Sequence, residues 1–208
     1  MTKNVRFIGD IHGAYLPYLS VIEPVKETVQ VGDFGLGFGT RGDPKYVDSL
    51  FTEYEGKHRY IRGNHDSPSH CKQSSHWIQD GTVEDNTMFV GGAASIDRAW
   101  RTEGLNWWAD EELSIAQLND LVYLYDTVKP DIMVTHDCPE FLANEVMIPL
   151  VNGIKNFPSV TRQAFDSMFS LRKPEIWIFG HWHHPLDYMY RGTRFICIPE
   201  HGYIDLEV

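Results

Sequence analysis

Short apolar runs that stop at glycine or a charged residue recur along this chain. Val5 to Ile8 runs into Gly9-Asp10-Ile11-His12-Gly13, Thr28 to Val31 into Gly32-Asp33, and Arg59 to Ile61 into Arg62-Gly63-Asn64-His65-Asp66. Asp131 to Val134 runs into Thr135-His136-Asp137, and Glu175 to Phe179 into Gly180-His181-Trp182-His183-His184. Their β-branched and aromatic content predicts strands. Between them the apolar period lengthens to that of a helix. Asp43-Pro44 predicts an N-cap followed by proline at the first helical position, opening a helix through about Tyr54. Ser114-Ile115-Ala116-Gln117 has the form of a capping box, and Ile115, Leu118, Val122 and Tyr125 follow at helical spacing until Pro130 forbids continuation. Thr161 to Leu171 is a third predicted helix. Leu186 to Val208 predicts hairpin strands around Arg191-Gly192, then strands at Arg194 to Ile198 and Tyr203 to Glu207.

Strand, helix and strand alternate early, and strands dominate late. That order predicts an α/β (α+β) fold with a mixed sheet, or a pair of sheets, covered by helices. No shift in composition marks a linker, so residues 1–208 are expected to form a single domain. The least regular segment, Gly91 to Glu112, is rich in glycine, charge and tryptophan, and its length makes it a candidate functional loop.

With 42% hydrophobic and 23% charged residues, the chain has the balance of a folded globular protein. Its formal net charge of -11 argues against strong nonspecific binding to nucleic acid or an anionic membrane. A phosphate substrate stays open, because bound cations reverse the local potential. Cys71, Cys138 and Cys197 form no CxxC pair, which fits a reducing compartment. The stretch from Met1 to Asn4 leads into no signal-peptide core, and no apolar run is long enough to span a bilayer. A cytoplasmic protein is the expectation.

The strand ends carry the chemistry. They supply Asp10, His12, Asp33, Asn64, His136, His181 and His183. In open α/β sheets, sites form beyond the carboxyl ends of strands. All seven are oxygen or imidazole donors with no thiolate, a mix that suits Mn, Fe, Zn or Ni and disfavours a closed structural zinc site. Seven donors exceed what one metal with an open position needs, and suit two divalent metals sharing a bridging carboxylate. Two such ions against two aspartates leave the site positive, able to draw in a phosphate ester.

The ordered motifs Gly9-Asp10-Ile11-His12-Gly13, Gly32-Asp33, Gly63-Asn64-His65-Asp66, His136 and Gly180-His181-Trp182-His183 resemble those of the calcineurin-like metallophosphoesterase superfamily. The resemblance spans residues 9–183. It implies a two-sheet sandwich flanked by helices, with Asp10, His12 and His183 holding one metal, Asn64, His136 and His181 the other, and Asp33 bridging. It implies for His65 a place beside the metals, where it steadies the phosphoryl group or protonates the leaving oxygen. Manganese is the first expectation for the metal pair. The second motif departs from the protein serine/threonine phosphatase pattern GDxxDRG, because Leu36 and Gly37 stand where an aspartate and an arginine are expected. The metal-binding tyrosine of purple acid phosphatases is also replaced by Leu36. The Gly-His-x-His ending resembles the phosphodiesterase and nuclease-like branches, while Arg62-Gly63-Asn64-His65 echoes the protein phosphatases.

Taken singly, Asp10, Asp33 and Asn64 are ordinary turn residues after strands, and His136 an ordinary surface or capping histidine. Together in this order they read as ligands. His184 reads as a surface or supporting residue, and His201 as structural. Arg62 either orients substrate or pairs with a carboxylate. Asp97, Arg98, Arg101, Trp107 and Trp108 are candidates to wall the pocket, arginine suiting phosphate and tryptophan suiting a ring; the alternative is that the tryptophans anchor the loop. Trp177 and Phe179 read as core. The expected activity is hydrolysis of phosphomonoesters or phosphodiesters by metal-activated hydroxide, with a small phosphorylated compound or nucleotide as substrate. The rivals are a nuclease or cyclic-nucleotide phosphodiesterase, and a noncatalytic interaction scaffold.

Overall fold

Val5 and Phe7 point one way from the first strand and Ile8 the other, so this strand has apolar partners on both faces. That pattern needs layers on each side, and the computed structural model provides them. It describes residues 3–39, 42–151 and 157–208; Met1 and Thr2 of the N-terminal stretch read above lie outside that description. The strands are β1 (Asn4–Ile8), β2 (Glu27–Gln30), β3 (Lys57–Tyr60), β4 (Val83–Glu84), β5 (Thr87–Val90), β6 (Ile132–Thr135), β7 (Ile176–Phe179), β8 (Leu186–Tyr190), β9 (Thr193–Cys197) and β10 (Tyr203–Glu207). The helices are α1 (Tyr15–Ile22), α2 (Pro44–Phe51), α3 (Pro68–Cys71), α4 (Ile115–Val128), α5 (Glu140–Leu142), α6 (Ile148–Leu150) and α7 (Val160–Leu171).

Two mixed sheets result. One has the order β10-β1-β2-β3 and the other β4-β5-β6-β7-β9-β8. Strands β1, β2 and β3 run parallel, as do β5, β6, β7 and β9, while β10, β4 and β8 are antiparallel additions. Val5, Phe7, Val29 and Val31 of the first sheet meet Phe89, Val134, Ile178 and Ile196 of the second in the central layer. Helices α1 and α2 cover the outer face of the first sheet through Tyr18, Ile22, Val47 and Phe51. Helices α4 and α7 cover the second through Leu121, Tyr125, Phe165 and Phe169, packed on Trp177 and Phe195.

The end signals behave as their chemistry requires. Asp43 accepts from the Tyr46 amide at 3.0 Å with Pro44 behind it, and Ser114 and Gln117 form the reciprocal capping box. Helix α2 stops at Phe51, short of Tyr54. The pattern missed α1, where Pro17 falls early enough in the helix to be tolerated. It also missed the β4–β5 hairpin, whose Asp85-Asn86 turn carries φ of 46° and 61°, the left-handed pair that a tight hairpin favours.

Glu84 on β4 ties the two sheets together at one edge. It accepts from Arg59 at 2.8 and 2.9 Å and from Lys57 at 2.8 Å, both on β3. The hydrogen bonds from Arg59, then Lys57, pull its carboxyl down from 4.5 to about 2. A carboxyl depressed on folding adds stability above its unfolded value and loses it as pH falls through the folded one. The contribution is therefore intact above about pH 5 and gone near pH 2. Being partly exposed, it amounts to about 1 kcal/mol or less. Glu84→Gln is expected to match wild type near pH 2 and fall below it above pH 5 in denaturant titrations.

Candidate metal centre

The carboxyl ends of β1, β2 and β3 lie side by side in one sheet, and those of β6 and β7 in the other. The chain must turn sharply after each strand to point side chains into the space between. His12, Asp33, His181 and His183 accordingly have φ of 46°, 56°, 65° and 52°. A left-handed conformation costs a non-glycine residue about 1 kcal/mol or more, and such strain concentrates at functional sites. Glycine permits the crowding: a Cβ on Gly63 would overlap Asp33 Oδ1, and one on Gly180 would overlap Asp10 Oδ1.

Two groups of potential ligands emerge among the described residues. Asp10, His12, Asp33 and His183 form one, and Asp33, His136 and His181 the other, with donor atoms within 4.8 Å of one another in each. Asp33 belongs to both. His183 Nε2 lies 3.0 Å from both Asp10 Oδ2 and His12 Nε2. His136 Nε2 lies 3.3 Å from Asp33 Oδ1 and 3.2 Å from Asn64 Oδ1. His136 Nδ1 donates to the Val31 carbonyl at 2.8 Å, which leaves Nε2 as the nitrogen that would face a metal. All seven side chains singled out in the sequence are thus gathered in one place.

The electrostatics favour cations here. Asp33 is buried, which opposes its charge, yet His65 and His136 beside it hold it well below the usual carboxylate range. Burial also opposes a charged His136, but Asp33 outweighs it and lifts the imidazole to about 10. A hydrogen bond to Asp10 raises His183, whereas burial lowers His181. A buried carboxylate that draws protons onto adjacent imidazoles is a place where a divalent ion can take over from those protons. The oxygen–imidazole donors therefore fit a divalent metal site.

His65 borders the cluster. Its amide donates to Asp33 Oδ1 at 2.7 Å, its Nδ1 faces His12 Nδ1 at 3.0 Å, and its ring stacks on Phe38. Arg101 Nη2 donates to its Nε2 at 2.5 Å. Asp97 holds that guanidinium at 2.6 and 2.8 Å. Burial and the Arg101 charge push His65 down to about 4 against the pull of Asp33. Of the other arginines proposed from sequence, Arg62 is buried and pairs with Asp80 at 2.8 Å while donating to the Asp110 and Glu111 carbonyls. Of its two roles, carboxylate pairing is the one observed. Arg98 is exposed and stands over the Phe157 ring, outside the lining of the cavity beside the cluster. Trp108 is buried against Phe38, an anchor for the loop, and neither it nor Trp107 lines that cavity. His184 Nδ1 faces the Pro185 carbonyl, and His201 contributes a backbone amide to the Asp10 carbonyl with its side chain outside.

Sequence reasoning missed the residues that hold the ligands. Asp66 is fully buried and accepts from the amides of Phe34, Gly35, Leu36 and Gly63 at 2.7–3.0 Å, clamping the loop that carries Asp33. Ser95 Oγ accepts from Asn64 Nδ2 at 3.1 Å and donates to the buried Glu111 at 2.5 Å, so Asn64 Oδ1 is turned toward His136. Asp66 was visible in its motif; Ser95 and Glu111 had no signal beyond the length of their loop. Ser95→Ala is expected to weaken Mn²⁺ binding about tenfold by calorimetric titration, the usual effect of losing an orienting partner. Affinity at the wild-type level would mean that Asn64 needs no such partner.

A family model described as Metallophos, calcineurin-like phosphoesterase, matches residues 3–185. No curated protein matches the sequence. Among solved structures, TT1561 of Thermus thermophilus superposes with a TM-score of 0.60 at 9% identity, covering 96% of this chain and 90% of that one. A candidate 5′-nucleotidase from Staphylococcus aureus superposes with a TM-score of 0.56 at 12% identity over 98% of this chain. The match covers 51% of the Staphylococcus protein, so the present chain spans about half its length. At these identities the likeness is one of fold.

Proposed function

The chain belongs to the calcineurin-like phosphoesterase family, and we propose that it hydrolyses phosphomonoesters or phosphodiesters using two divalent cations. Membership makes it a phosphoester-hydrolysing enzyme; the ester and the metal count are our reading. The observation that carries it is one buried carboxylate, Asp33, shared by two carboxylate–imidazole groups. Asp10, His12 and His183 would hold one ion, and Asn64, His136 and His181 the other, with Asp33 between them. Manganese heads the choice, with Fe, Zn or Ni also suited to these donors. When bound, such ions would supply Lewis acidity toward the phosphoryl oxygens and acidify a water.

The protein's own groups do the positioning. Asp33 and Asp10 supply the negative charge that retains cations. Arg101, steadied by Asp97, occupies Nε2 of His65, so the ring proton lies on Nδ1, toward His12. That Nδ1–H would serve a phosphoryl or leaving oxygen once it is released from His12. We take residues 1–208 as one catalytic unit, since β10 closes onto β1. The three cysteines are free and buried, which supports a cytoplasmic setting, and the charge of -11 supports a small substrate over nucleic acid.

The test is turnover by Mn²⁺-reconstituted protein of an aryl phosphate, a bis-aryl phosphate, a cyclic nucleotide and single-stranded DNA. Hydrolysis of either aryl ester is expected, and failure on both overturns the reading. His65→Ala is expected to slow turnover about a hundredfold with metal content unchanged. Loss of metal in that variant would contradict its assigned role.

A further inference from the structure

The cavity beside the metal centre has two unlike sides. It measures about 330 Å³. One side is the ligand cluster with His65. The other is built by Ile96, Ile148, Val151, Phe157 and Trp182. These come from the loop after β5, from α6 and its flanks, and from the turn after β7. The wall is firmly backed: Trp182 is in the core of the second sheet, and Ile148 and Val151 pack against that core.

The two guanidiniums in the lining are already matched. Arg101 is held bidentately by Asp97. Arg162, 3% exposed, has Asp137 and Glu140 each at 3.4 Å from its Nε and donates from Nη2 to the Phe157 carbonyl. Both guanidiniums in the lining therefore already face carboxylates. The wall also offers few polar groups for the hydroxyls of a sugar or polyol. A small cavity of this kind binds through apolar contact, with a few polar groups fixing orientation.

We infer that the substrate is a phosphate ester of an apolar alcohol of one- or two-ring size. The phosphoryl group faces the ligand cluster, and the alcohol lies against the Ile148–Phe157–Trp182 wall. This rests on the phosphoesterase reading above and narrows its substrate class. A body that fills the wall gains on transfer from water, whereas a polyol must give up hydration without replacement partners.

The experiment compares 2-phenylethyl phosphate with glycerol 1-phosphate, using the Mn²⁺-loaded protein. Both monophosphates have primary alkyl leaving groups, so their ratio reports binding of the alcohol. The phenylethyl ester is expected to exceed glycerol 1-phosphate in kcat/KM by about thirtyfold or more, a discrimination an apolar pocket can supply. The nonhydrolysable 2-phenylethylphosphonate is expected to bind about tenfold tighter than 2-hydroxyethylphosphonate by calorimetry. Phe157→Ala and Ile96→Asp, the latter at a half-exposed position, are each expected to cut the phenylethyl-to-glycerol ratio about tenfold at wild-type metal content. Equal or faster turnover of glycerol phosphate, or a ratio unmoved by both variants, overturns the inference while leaving the phosphoesterase reading intact. Absence of turnover on both, with aryl phosphates also inert, removes that reading and this inference with it.

Discussion

Asp33→Asn is expected to lower kcat by about a thousandfold, equivalent to about 4 kcal/mol of lost transition-state stabilisation. It is also expected to leave protein that retains about one equivalent of Mn²⁺ or less after dialysis. The reason is topological as well as electrostatic. Among the described residues Asp33 is the carboxylate common to both ligand groups, so its charge would serve two ions at once. Asparagine keeps the shape and one oxygen but removes the charge that holds His136 near 10 and draws cations into a buried space. Excess Mn²⁺ in the assay should restore little activity, because the proposed bridge would be missing and not merely weakened. Metal analysis by mass spectrometry, with circular dichroism to show an intact fold, checks this. A variant that kept two equivalents of metal and near-normal turnover would remove Asp33 from the centre of the site.

Asp66→Asn is the second large effect, and its signature is opposite. Each carboxylate oxygen of Asp66 accepts two backbone amides: Oδ2 from Phe34 and Gly63, Oδ1 from Gly35 and Leu36. An asparagine must aim its own amide hydrogens at one of these pairs, leaving two buried donors unmatched. The expected loss is about 3 to 4 kcal/mol, since each hydrogen bond to a charged group contributes about 1.5 kcal/mol or more. For a chain of this size that corresponds to a fall in Tm of about 10 °C. The seven ligands themselves remain, so activity should be low at limiting metal and largely restored by excess Mn²⁺ below the melting range. Calorimetric melts and a metal titration of activity separate this from Asp33→Asn. A Tm within about 2 °C of wild type would show that the loop after β2 does not depend on the clamp.

The outcomes for individual residues show what kind of information each level held. The strands were legible because a period of two and a terminating glycine are local facts, and the caps at Asp43 and Ser114 are set by residues three positions apart. Strand β5 was missed although Met88, Phe89 and Val90 form an apolar run, because the Asp85-Asn86 turn signal was not weighed against the irregular segment that follows. The chemistry-bearing residues were legible as a set because each follows a strand, and parallel strands deliver their ends to one edge.

Arg62 and Arg101 mark the boundary. Both are arginines near motif residues, and composition treats them alike. Arg62 is turned into a buried pair with Asp80, whereas Arg101 reaches the Nε2 of His65. Which one meets the site depends on the path of the loop between Gly91 and Glu112, and that path is held by contacts between residues far apart in the chain. The same holds for Asn64, whose amide is set by Ser95 and Glu111, and for the apolar wall facing the cluster.

By itself, the sequence determined the strand-end oxygen and imidazole side chains, their order and the glycines that let them approach, because these follow from local periodicity and the steric needs of tight turns. Only the tertiary structure decided which carboxylate clamps the Asp33 loop, which arginine partners His65 and what surface the alcohol of a substrate would meet. Those depend on pairings across many residues, where hydrogen-bond geometry and burial choose among chemically equivalent candidates.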